Sequence, residues 1–194
     1  MDIYALLPPV TMASLWLPIV VSTVAVFFAS FLVWMVLPHH RKDFAKVPDE
    51  DELVAHLRSQ DLGPGNYAFP HCSDPAQFKD EAFKQRFEIG PSGFLTIRRG
   101  SKLSMGRELT QWFVYVFAIS VMVAYVTTRT ELRIPGHDEL GVFRVAGTAA
   151  FLAYSAAVIP QAIWKSLRWS TVWKEVLDGL GYALLTGAAF GWLS

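Results

Sequence analysis

Apolar positions along this chain gather into four long runs, divided by one long polar stretch and two short ones. The first run, Leu15 to Leu37, is 23 residues without a charged side chain, against the roughly 20 that a helix needs to cross about 30 Å of hydrocarbon. Leu109 to Val126, Leu140 to Ile163 and Val172 to Leu193 repeat the pattern, and each predicts a spanning helix. A cleaved signal peptide is the competing reading of the first run. No Lys or Arg precedes it, and it is longer than the apolar core of such a peptide, so a retained helix is expected.

The long polar stretch, His39 to Arg107, has a different periodicity and is too long for a structureless connection. Asp49 with Glu52 three residues on forms a capping-box pattern, Leu53, Val54 and Leu57 supply an apolar stripe, and Gly63 marks a stop. A second helix is predicted from Asp74, with Pro75 at its first position, Gln77 returning a cap contact, and Phe78, Phe83 and Phe87 facing apolar material. Gly93 to Arg98 alternates like a strand and pairs most naturally with Asn66 to Phe69. The expected fold is therefore an all-α membrane protein of four transmembrane helices with a small α+β module between helices 1 and 2. The expected boundaries are 1–14 for an outer N-terminal segment, 15–37, 108–127, 140–163 and 172–193 for the spans, 38–107 for the module, 128–139 for an outer loop and 164–171 for a short connector.

Composition sharpens this picture. The 194 residues are 53% hydrophobic, with a mean hydropathy of +0.32, which points to lipid. The 17 basic and 17 acidic residues cancel, so no nucleic-acid partner is expected. Their positions carry more information than their sum. The stretch His39 to Arg107 holds 11 of the 17 Lys and Arg, and none precedes Leu15. The positive-inside rule thus predicts a cytoplasmic module and connector, with both termini outside. All seven Trp fall near predicted span ends, where their amphipathic rings favour the headgroup level. Trp16 and Trp34 stand 18 residues apart, roughly 27 Å of helix.

Lipid is as apolar as leucine, so such helices associate where small residues let backbones approach. Ala183, Gly187 and Gly191 form one stripe, Ala149, Ala153 and Ala157 a second, and Ala25 with Ala29 a weaker third. Pro160 is expected to bend or end the third span. Arg144 lies about one turn inside the third span and Glu175 and Asp178 within the first two turns of the fourth, where snorkelling or local satisfaction is expected ahead of a buried ion pair.

Candidate chemistry is sparse. The sole cysteine, Cys72, follows His71 in the loop Ala68 to Pro75. One cysteine excludes an internal disulfide and a zinc site built on paired Cys. A metal reading recruits His39, His40, His71 and Cys72, three imidazoles and a thiolate whose types suit zinc or copper. The competing reading is a turn held by Pro70, Pro75 and the Asp74 cap. Cys72 as a nucleophile lacks a visible base and orienting group. No phosphate loop, HExxH or GxSxG sequence occurs, so no catalytic residue is assigned and an enzyme is not expected. The internal "HDEL" at His137 to Leu140 is not a retention address, which must be C-terminal.

The stretches LPHHRKDF, PGNYAFPHC, VFRVAGTAAFLAY and KEVLDGLGYALLTGAAFGWL together resemble a group of uncharacterised bacterial multi-pass membrane proteins of about this length. The resemblance covers most of the chain and implies a bacterial inner membrane. It carries over no catalytic residue and no activity. The leading expectation is an accessory or scaffold subunit that presents its module to a protein partner or assembles as a homo-oligomer. A small oligomeric transporter, with Ser22, Thr23, Gln111, Arg144, Tyr154, Gln161 and Thr186 as pathway groups, and a metal-binding membrane protein are the alternatives.

Overall fold

A computed structural model describes residues 10–98, 100, 104–130 and 138–194. The start of the expected outer N-terminal segment, and residues 131–137 of the expected outer loop with Arg133 and His137, lie outside these described residues. Four helices are long and apolar enough to cross a membrane: Met12–Val36, Gly106–Arg129, Glu139–Lys165 and Trp169–Leu193. The chain divides into two compact units. The first comprises Met1–Asp43, Ser104–Ile163 and Leu167–Ser194, and the second comprises Phe44–Leu103 with Trp164–Ser166.

In the first unit, α1 (Trp16–Phe31) packs on α4 (Gly106–Arg129) and α7 (Trp169–Leu193), and α5 (Glu139–Ser155) packs on the same two. The result is a ring of four helices around Leu15, Ile19, Val123, Val142, Ala146, Ala150, Ala183 and Phe190. The largest helix contact is α5 on α7, and its closeness is set by glycine. A Cβ on Gly187 would stand 3.0 Å from the Phe143 carbonyl oxygen, and one on Gly191 2.9 Å from that of Glu139. On α7 the buried small residues include the expected Ala183, Gly187 and Gly191. On α5 the buried face is instead Val142, Ala146 and Ala150, with Ala149 and Ala153 at its margin and Ala157 exposed. Many small residues on α5 fit the four-residue spacing, so spacing alone leaves the facing set one position ambiguous.

Polar groups within the ring are spent locally. Thr23, Thr127 and Thr186 each donate to the carbonyl four residues back. Ser22 and Ser120 bond across α1 and α4 at 3.0 Å, a contact worth about 1 kcal/mol. The third span breaks where Pro160 predicts it. Without an N–H, and with its ring against the carbonyl of Ala156, Pro160 cannot sit in a continuous α-helix. The chain passes through a 3₁₀ turn, Ala156–Val158, before α6 (Ile159–Lys165). The first span ends in a π turn, Leu32–Val36, in which Leu37 N–H donates to Leu32 O at 2.9 Å.

The second unit holds α2 (Glu50–Ser59), α3 (Glu81–Ile89) and an antiparallel pair, β1 (Gly65–Phe69) with β2 (Gly93–Ile97), in register Asn66↔Thr96 and Ala68↔Phe94. Asp49 stands at the N-cap of α2 but its side chain makes no cap bond. The acidic first turn, Glu50, Asp51 and Glu52, interacts with the helix dipole instead. The single helix expected from Asp74 is two elements. Asp74 caps a 3₁₀ helix, Pro75–Lys79, and Asp80, in extended conformation, caps α3 through Ala82 N–H. An aspartate that can bond a backbone N–H two residues on favours such a restart over helix continuation.

Helix contact at the α5–α7 seam generates a direct test. Gly187→Leu should lower the stability of the detergent-solubilised protein by about 1–3 kcal/mol through overpacking. Gly181→Ala, whose Cβ meets nothing within 4 Å, should leave the thermal midpoint unchanged or slightly raised. Equal effects from the two would contradict the close approach.

Candidate functional site

At the end of the first span, the π turn leads into an extended Leu37 and a 3₁₀ turn, Pro38–His40. Proline fixes the first position of that turn and holds the preceding residue extended, so His39 and His40 leave the helix together and meet α7. On α7, Lys174 and Asp178 are four residues apart and share a face with Glu175.

The side chains form one connected network. His40 Nε2 bonds Asp178 Oδ2 at 2.7 Å and His40 Nδ1 bonds Asp43 Oδ2 at 2.5 Å. His39 Nε2 reaches Asp178 Oδ1 at 3.2 Å. Lys174 Nζ donates to Asp43 Oδ1 and to the His39 carbonyl, each at 2.5 Å. The indole of Trp34 stacks on the His40 ring, with centroids 3.8 Å apart and planes 5° from parallel. The side chains of His40 and Asp43 are only 4% and 3% exposed, so these charges are held by each other rather than by water.

Burial by itself disfavours a charged imidazole at His40, but hydrogen bonds to Asp43 and Asp178, together with both carboxylate charges, prevail and raise its pKa above the usual value. Burial likewise opposes ionisation of Asp43, yet the bonds and charges of Lys174 and His40 prevail and hold its pKa below the usual carboxylate value. A doubly bonded imidazolium between two carboxylates is the state these directions describe.

Beside the network lies a cleft of about 440 Å³, walled by side chains of α1, α4, α5 and α7 and floored in part by Glu175 and Asp178. Two tyrosines that line it, Tyr154 and Tyr182, bury hydroxyls with no hydrogen-bond partner among the described residues. Thr186 lies beside the first and Trp34 beside the second, without hydrogen-bond geometry.

Of the four sequence-selected metal ligands, His39 and His40 are brought together in the first unit, within ligand distance of Asp178. His71 and Cys72 belong to the second unit. There His71 is exposed and the Cys72 thiol donates to Asp74 O at 3.1 Å, which is the turn reading of that loop. Among the seven expected pathway groups only Tyr154 lines the cleft. Ser22, Thr23 and Thr186 are buried between helices, and Gln111 and Arg144 are exposed. Asp178 is neither snorkelling nor satisfied within its own helix; it is paired across the bundle. Asp43 and Lys174 went unassigned in the sequence reading, and the available signal was the carboxylate inside an apolar run, which demands a donor from elsewhere. No family model, curated protein or solved structure matches this chain.

The network predicts a pH window. His40 contributes stability that is complete below its ordinary pKa of 6.5 and is lost as pH rises through the raised folded value. Asp43 contributes stability that is complete above its ordinary 3.8 and is lost as pH falls through the lowered folded value. With chelator present, the thermal midpoint should therefore be highest between these limits and fall on the alkaline side. His40→Gln should remove that alkaline decline, and an unaltered profile would refute the assignment.

Proposed function

We propose that this chain is a multi-pass protein of the bacterial inner membrane that acts as an accessory subunit, with both ends outside and the second unit offered to a partner protein in the cytoplasm. The four span-length helices and the concentration of Lys and Arg between His39 and Arg107 support the topology. One observation carries the accessory role. Among the described residues of the second unit only Phe83 is buried, while Phe69, Phe78, Phe87, Ile89 and Phe94 stay exposed. A module of this size that buries one side chain has little core of its own, and clustered exposed apolar groups mark an interaction surface. Purification in mild detergent after crosslinking in native membranes should retain a stoichiometric protein partner, and Ile89→Asp with Phe94→Asp should release it. Recovery of monomer alone from wild type would defeat the reading.

A second reading is favoured by a specific geometry. His39, His40 and Asp178 each offer one ligand atom, all within 4.8 Å of one another, and the other nitrogen of His40 bonds a carboxylate. That is the two-His, one-carboxylate set with an outer carboxylate that orients a ligating imidazole. A bound divalent metal requires neutral histidine, so binding would displace the His40 proton and weaken as pH falls. Elemental analysis after growth in metal-replete medium should find about one zinc, copper or iron per chain, lost in Asp178→Asn and kept in Cys72→Ser. Metal-free wild type would remove this reading.

A further inference from the structure

We propose that the cleft is a binding site for a hydrophobic organic cation, of the quaternary ammonium or phosphonium class. Two observations converge on it, neither of which the accessory reading uses. The first is charge. Lys174, His39 and His40 are committed to Asp43 and Asp178, whereas Glu175, at the cleft wall, has neither hydrogen bond nor ion pair among the described residues. A carboxyl group without a partner therefore stands beside an apolar cavity, where a cation is the complementary occupant.

The second is the aromatic wall. Trp112, Tyr115, Tyr154 and Tyr182 follow one another with ring centroids 5.4, 6.5 and 5.7 Å apart, the last two pairs edge to face. Trp34 also lines the cleft. Ring faces attract cations that carry little hydration, and cages of several rings are how proteins recognise quaternary ammonium groups.

Access fits the same occupant. Phe31 and Met35 line the cleft and are about half exposed on the apolar flank of α1 and its π turn, so a molecule dissolved in the bilayer can enter sideways. A small hydrated ion has no reason to take that route, and a neutral lipid leaves Glu175 without a partner. A choline headgroup shares the cationic chemistry but brings a phosphate, and among the described residues no Lys or Arg lines the cleft.

Calorimetric titration of the full chain in dodecyl maltoside with tetraphenylphosphonium should show one saturable site. Glu175→Gln should weaken it about tenfold and Tyr182→Phe less, while Gly181→Ala leaves it unchanged. Neutral triphenylphosphine oxide should not compete. Dodecyltrimethylammonium should displace the probe. If dodecylphosphocholine displaces it equally well, the source is a lipid headgroup; if it is much weaker, the source is a free cation. Absence of saturable binding, equal binding by Glu175→Gln, or competition by the neutral oxide would overturn the proposal. Should Glu175→Gln fail to fold, maleimide labelling of Met35→Cys in a Cys72→Ser background provides the same reading. Tetraphenylphosphonium must slow that labelling, and an unchanged rate would also overturn the site.

Discussion

A carboxylate set within an apolar helix governs this molecule. Asp178 lies nine residues into α7, roughly 14 Å along its axis, and a largely buried charge there must find a partner or stay neutral. The partner is not on its own helix. It is the histidine pair that follows the first long apolar helix, which ties that helix to the last. Asp43 and Lys174 close the network from the other side, so the chain leaving the bundle is fixed by two hydrogen-bonded carboxylates rather than by apolar packing. A buried ionic network of this kind is weak evidence of added stability. Its effect here is orientation: it decides which face of the first span's end meets α7.

Packing elsewhere in the ring obeys a complementary rule. Where α7 has glycine, α5 lies close, and this holds at Gly179 as well as at Gly187 and Gly191: a Cβ on Gly179 would overlap Ser155 Oγ. The cleft opens on a different face of the same helix, where Glu175, Asp178 and Tyr182 follow at helical spacing. Small residues line one face of α7, and large or ionic ones line the other.

Four spans were legible in the sequence because twenty or so uncharged residues have few other fates, and the strand pair was legible because alternation in Gly93 to Ile97 matched Gly65 to Phe69 closely. The small-residue face of α5 was read one position away from the observed one, since alanine is too frequent there for spacing to choose. Asp80 was overlooked as a cap because Phe78, Phe83 and Phe87 read as one continuous stripe. The network was half visible. His39 and His40 were singled out as ligand types, and Asp43 lies only three residues beyond His40, but Lys174 and Asp178 come from the last helix, and pairing across 138 residues, as between His40 and Asp178, leaves no local periodicity to read.

The π turn at Leu32–Val36 sets the azimuth of all this. A π turn accommodates one residue more than an α turn, and one residue in an α-helix corresponds to about 100° of rotation. Trp34 sits inside the turn and stacks on His40, which follows it. Deleting a single position there would keep the length needed to cross a bilayer yet swing the histidines toward a different neighbour, so the segment tolerates substitution of its apolar side chains far better than any change in their number.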